Sequence, residues 1–256
     1  MPNPKILIPL PNYGFDPTEA AIPWKLLTDQ NFEVVFATPN GKKATADSIM
    51  LKGERLGIWK ILLAARQDAV DAYKEMENSH KFCNPIKYAD AKESDFDALL
   101  LPGGHDKGVK EYLESNLLQQ VVVSFFSIKK PVGAICHGLV LLAKSIDSKT
   151  NKSVLYNYKT TCLLKKQELT GYNLTRLWLG DYYLTYPELT VEEEVKSVLK
   201  NKNNFVDGPL PVLKDTINNL KRGFCNRDQN FVSSRWTGDV YNFSLEFIKM
   251  VTENKK

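Results

Sequence analysis

Four short apolar runs punctuate the first half of the chain: Ile6-Leu7-Ile8, Val34-Val35-Phe36-Ala37, Ala98-Leu99-Leu100-Leu101 and Val132-Gly133-Ala134-Ile135. Each is continuous rather than alternating, the pattern of a strand covered on both faces, as in a parallel sheet. Each is closed by turn chemistry: Pro9, Pro39-Asn40-Gly41, Pro102-Gly103-Gly104 and Cys136-His137-Gly138. Helical patterns fall between them. Leu113, Leu117, Val121 and Phe125 recur every four residues and predict one buried stripe on a helix after Gly104. Asp16-Pro17-Thr18-Glu19 predicts a helix start, with Asp16 as N-cap, Pro17 at the first position and Glu19 closing a capping box. Pro23 cannot donate to the Glu19 carbonyl, so a kink or a late start is expected there. The alternation predicts an α/β fold with a doubly wound, mostly parallel sheet and helices on both faces.

Residues 53–82 interrupt this rhythm. Ile58-Trp59-Lys60-Ile61-Leu62-Leu63 and the polar stretch 66–77 predict one or two helices, a helical insertion that either caps a site or decorates the fold. In the second half, Val154–Leu163 predicts a strand pair, and Leu189–Leu199 a helix whose acidic start suits the helix dipole. Asn226–Asn230 predicts a turn, Phe231–Ser234 a last strand, and Val240–Val251 a docking helix. No repeat or linker divides the chain, so residues 1–256 are expected to form a single domain.

Composition narrows the function classes. The chain has 256 residues, with 34 Lys and Arg against 30 Asp and Glu, a balance too even to predict nucleic-acid binding. No apolar run approaches the ~18 residues a membrane span needs. No signal-peptide apolar region follows Met1-Pro2-Asn3-Pro4-Lys5, and four dispersed cysteines without a C-x-x-C pair suit free thiols, so a cytoplasmic protein is expected. There are three histidines, His80, His105 and His137, and none beyond the last of these. Hydrolase and papain-like arrangements that take a base from well downstream of the nucleophile are thereby excluded. The dispersed His and Cys match no zinc spacing, and no Gly-rich dinucleotide or phosphate loop occurs, so neither metal nor cofactor is expected.

The chemistry concentrates at two strand ends. Val132–Ile135 runs straight into Cys136, and Gly138 opens an apolar helix, placing a thiol at the carboxyl edge of a sheet where α/β folds bind ligands. A helix N-terminus there would stabilise a thiolate. This is a nucleophile elbow with sulfur in place of a serine hydroxyl. His137 adjoins it as a candidate base. Gly103-Gly104 after the preceding strand would turn backbone N–H groups toward one spot as an oxyanion hole, with His105 lining the site. Glu19, just beyond the first strand, lies at the same edge; locally it reads as the capping residue.

These segments together resemble the PfpI superfamily, the intracellular-peptidase-like branch of the class I glutamine amidotransferase fold, which is flavodoxin-like. The residues that carry the resemblance are Ala134-Ile135-Cys136-His137-Gly138, Leu101-Pro102-Gly103-Gly104-His105, the first-loop acid in Asp16-Pro17-Thr18-Glu19-Ala20, and Phe36-Ala37-Thr38-Pro39-Asn40-Gly41. The likeness is good over residues 5–145 and partly returns at 231–251. Length and insertion resemble the larger chaperone and glyoxalase III-like branch. The resemblance implies that Glu19 is a buried, protonated acid that donates to the elbow sulfur. It also implies a homodimer and a cofactor-independent enzyme acting on a small-molecule aldehyde, such as methylglyoxal converted to lactate. A stress-related chaperone or cysteine oxidation sensor is the alternative from another class, and a cysteine peptidase or amidase a further one. A third triad acid is not singled out; Glu168 and Asp181 are candidates by position.

Overall fold

The computed structural model describes residues 3–254, so Met1 and Pro2 of the leading segment lie outside it. The main sheet contains β1 (Lys5–Pro9), β2 (Glu33–Thr38), β3 (Ile86–Lys87), β4 (Ala98–Leu101), β5 (Val132–Ile135), β6 (Cys225–Asp228) and β7 (Phe231–Ser234). The spatial order is β6-β7-β5-β4-β1-β2-β3. Every pair is parallel except the edge hairpin β6–β7. Strands β4, β5 and β7 are buried along their whole length, which is why their apolar runs are continuous. All four sequence-predicted strands of the first half are present. The fold is the expected doubly wound α/β arrangement, with its topological switch between β1 and β4.

Helices α1 (Pro17–Asp29), α2 (Ser48–Lys52), α3 (Lys60–Leu63), α4 (Gln67–Glu77), α5 (Asn116–Ser127), α6 (Gly138–Lys144), α7 (Lys165–Leu179), α8 (Val191–Val198) and α9 (Val240–Asn254) connect and cover the sheet. None of the described helices is long and apolar enough to cross a membrane.

Several expectations are corrected. Helix α1 does not start late at Pro23: it runs from Pro17 to Asp29, opened by Asp16, whose Oδ1 accepts from the N–H groups of Thr18 and Glu19 at 2.8 and 3.2 Å. The stripe 113–125 is not one helix. Ser115 caps a new helix, α5, and the resulting phase change buries Leu118, Val122, Phe125 and Phe126 while Leu117 is exposed. Val154–Leu163 forms turns, with an isolated bridge from Thr160 to Phe205 instead of a strand pair. Its aromatic residue Tyr158 packs edge-on against Phe126 and Phe231, so its β-like composition reflects core packing. Most of the expected turn at 226–230 is strand β6, leaving Gln229 with a positive φ of 55° at the hairpin tip. Residues 53–82 are two things: α4 buries Ala69, Ala72, Tyr73 and Met76 in the main core, whereas α3 carries the exposed Ile61 and Leu62.

Candidate active site

Strand β5 delivers Cys136 to the carboxyl edge of the sheet in a left-handed conformation, φ 56°. For a residue with a Cβ this costs on the order of 1–2 kcal/mol and is kept only where the surroundings dictate it. Here the chain must reverse from strand into α6 within one residue. Gly138 permits the reversal, since a Cβ there would collide with the Leu101 carbonyl. The Cys136 thiol is consequently placed facing the first turn of α1 and the loop after β4.

Glu19 meets it from α1. Its Oε2 accepts the Gly103 N–H at 2.9 Å, and its carboxyl faces the Cys136 thiol closely enough for the two to influence each other's protonation. Asp16 N–H donates to the Gly103 carbonyl at 2.9 Å, so both sides of this glycine are clamped by the start of α1. A Cβ on Gly103 would lie 2.6 Å from the His137 nitrogen, so the close approach of loop, acid and elbow requires glycine. This alters two sequence readings. Glu19 does not close a capping box, because its carboxyl leaves the helix to hold Gly103. The Gly103 N–H is therefore committed to Glu19 and is not free to receive an oxyanion, which leaves that of Gly104.

His137 is fully buried, with Nδ1 3.3 Å from Cys136 Sγ and Nε2 3.0 Å from Thr185 Oγ1. The Thr185 hydroxyl donates its proton to the His105 carbonyl at 3.0 Å. It must then accept from Nε2–H, which assigns the tautomer and leaves the Nδ1 lone pair facing the sulfur. Thr185 thus holds the place where a third acid was sought. Glu168 accepts the Val191 N–H at 3.0 Å, and Asp181 pairs with Lys107; the His137 ring meets neither. Nothing in the sequence singles out Thr185, apart from its place in the aromatic run Tyr182-Tyr183-Leu184-Thr185-Tyr186.

Burial governs the protonation states. It pushes the Glu19 carboxyl well above the usual range, with the Asp16 charge adding to it. The His137 imidazole is held well below its usual value by burial and by neighbouring His105, so it is neutral. The Cys136 thiol is raised by burial first and by the Glu19 charge second, contrary to the low value expected at a helix start. Desolvation outweighs the dipole of the seven-residue α6. A proton on Glu19 removes its charge and lets it donate to the sulfur, so the pair shares its protons. His105 is pushed down to about 4, again by burial, and its ring stands edge-on to His137 with centroids 4.9 Å apart.

Cys136, Glu19, Asp16 and His105 line a cavity of about 440 Å³. The structure thus brings Glu19, Gly103, Gly104, His105, Cys136 and His137 to one place. The cavity walls come from α2, α3, α7 and residues 210–212; of these the sequence marked α3, which lies within the 53–82 insertion expected to cap a site or decorate the fold.

Parallel sheet, left-handed cysteine and first-helix acid define a flavodoxin-like α/β protein of the cysteine-elbow class. A family model described as ThiJ/PfpI family-like matches residues 10–209, and the chain belongs to the ThiJ/PfpI family. Among curated proteins, an uncharacterized protein of Schizosaccharomyces pombe is 26% identical over 182 residues, covering 67% of each chain. Among solved structures, glyoxalase III from Candida albicans has a TM-score of 0.68 at 18% identity, covering 96% of each chain. Rapid Encystment Protein 24 KDa of Francisella tularensis has a TM-score of 0.70 at 12% identity, covering 97% of this chain and 99% of that one. At these identities the structural likeness is one of fold.

Proposed function

We propose that the protein is a cofactor-independent, glyoxalase III-like cysteine enzyme that converts 2-oxoaldehydes into 2-hydroxy acids, with methylglyoxal to lactate as the simplest case. The observation that carries this reading is the Cys136 sulfur set between the His137 Nδ1 lone pair, 3.3 Å away, and a carboxyl held above its usual range, at the floor of a cavity. A thiol between a neutral base and a neutral acid is arranged to add to a carbonyl without building net charge in a buried site.

The thiol proton passes to His137 Nδ1 as sulfur bonds to the aldehyde carbon. Glu19 gives its proton to the aldehyde oxygen, forming a hemithioacetal. The Glu19 carboxylate then removes the hydrogen of the former aldehyde carbon as a proton, while His137 returns its proton to the ketone oxygen. Glu19 reprotonates the second carbon and His137 takes the proton from the first hydroxyl, which leaves a thioester and a secondary alcohol. Water then attacks the thioester, giving one proton to the Glu19 carboxylate, while His137 returns its proton to the departing sulfur, so the 2-hydroxy acid leaves and thiol, neutral imidazole and protonated carboxyl are restored. One substrate carbon is oxidised and its neighbour reduced, so no external oxidant or reductant enters.

The test is lactate formation from methylglyoxal in the presence of a chelator. Wild type should form lactate at the same rate with or without chelator, and Cys136→Ala should lose at least ~10³-fold. No lactate from wild type, or equal rates for the two proteins, overturns the reading. The Glu19–Cys136 contact also suits a cysteine oxidation sensor, because a neutral carboxyl donates to a sulfinate as it does to a thiolate. Peroxide treatment followed by peptide mass analysis would then place two added oxygens on Cys136 ahead of the exposed Cys83.

A further inference from the structure

The cavity is lined mostly by apolar side chains, with Lys166, Gln167, Thr170 and Thr237 as polar exceptions beyond its floor. Above Cys136, Glu19 and His105 its apolar walls are Met50, Leu62, Leu63, Leu174, Val212 and Trp236. Its volume of about 440 Å³ falls in the range of sites that enclose a ligand well beyond three carbons. A methyl substituent would leave most of that wall facing water. Asp16 joins Glu19 at the floor, and Lys166 is the one cation on the walls among the described residues, so the floor itself disfavours an anionic group. The Tyr183 hydroxyl is buried, has no hydrogen-bond partner and belongs to a cavity-lining residue; the His105 Nδ1 is in the same condition. Orphaned polar atoms on two cavity-lining residues suit a ligand that brings oxygens of its own.

We infer that the preferred substrate is a 2-oxoaldehyde with a bulky, uncharged apolar substituent, of aryl or branched-alkyl size. The dicarbonyl would lie at the floor between Cys136 and Tyr183, and the substituent against Leu62, Leu63, Leu174 and Val212. This rests on the reaction proposed above and adds the identity of the substituent. Burying a whole apolar substituent shifts kcat/KM by about an order of magnitude or more.

The experiment compares phenylglyoxal with methylglyoxal on wild type and on the double variant Leu62→Gln, Val212→Thr. Both positions are largely solvent-exposed, so the variant keeps its core. Wild type should favour phenylglyoxal by at least ~tenfold in kcat/KM. In the variant that ratio should fall about tenfold. Intrinsic reactivity cancels in the comparison of the two ratios. Methylglyoxal turnover with no preference, or a preference that survives in the variant, overturns the substrate class alone. Turnover of neither compound overturns the reaction as well.

Discussion

At the floor of the cavity, Cys136, His137 and Glu19 are each no more than 2% exposed, and their contacts come from β5, α1, the loop after β4 and Thr185. At its mouth, Leu62, Val212 and Leu210 are 45%, 60% and 81% exposed and sit on the four-residue α3 and an irregular strap. The strap is held by few groups. Arg235 donates to the carbonyls of Asp207 and Pro209, Arg66 to that of Asp215, and Lys214 reaches the Ala64 carbonyl at 2.8 Å. Close packing at the floor keeps reacting groups in register, whereas a lightly tethered mouth can change its walls without disturbing them. The division separates what the site does from what it accepts.

The strongest way to break this separation is through Arg235, which belongs to both regions. Its guanidinium forms a fully buried, two-pronged pair with Asp239 at 2.8 and 2.9 Å while holding the strap. Arg235→Met should lower stability by roughly 3–5 kcal/mol, because the buried Asp239 loses its counter-charge while keeping the Phe224 N–H. Denaturant melts check this, and a loss under ~1 kcal/mol would show that strap and floor are not linked through it.

Glu19→Gln tests the floor alone. The amide still accepts from Gly103 but has no proton to give, so kcat should drop about 10²-fold with little change in melting temperature. Thr185→Val removes the acceptor that sets the His137 tautomer. It should reduce kcat about tenfold, move the pH profile and leave KM unchanged. An unaltered profile would rule out the tautomer assignment.

A separate effect, on stability and not on turnover, is a slope with pH. Glu168, buried beneath α8, has its carboxyl pushed up to about 8, chiefly by burial. The folded state therefore binds a proton that the unfolded state gives up near pH 4.5, and stability falls as pH rises from there to about 8. Asp215, pushed up to about 7, and Asp47, to about 6, act in the same direction. Replacing Glu168 with Gln should flatten the decline by up to ~1 kcal/mol per pH unit across this window, read as melting temperature against pH.

The strands were legible in the sequence because centrally placed parallel strands need unbroken apolar runs, and Ala98–Leu101 and Val132–Ile135 provide them to the residue. The elbow was legible because an apolar strand, a Cys-His-Gly step and an apolar helix leave only a sharp turn between them. Glu19 was misread locally. Its partner is Gly103, 84 residues away, and no nearby residue signals that contact. The break at Ser115 was hidden by a periodicity that crosses it, since Leu113 and Leu117 keep the spacing of a helix they do not share. The cavity walls were least legible, because α3 and the strap are held by individual side-chain-to-carbonyl bonds, which leave no periodic trace.

The hold of Gly103 on Glu19 has a stereochemical consequence. With Oε2 occupied by a backbone N–H at 2.9 Å, the carboxyl cannot rotate freely, and the other oxygen is the one that carries its proton. A sulfur anchored on a left-handed residue fixes the attached carbon on its other side. Proton return to the neighbouring carbon then comes from one face only, so a hydroxy acid formed at this floor would leave as a single enantiomer. Its handedness would be set by one hydrogen bond from a glycine.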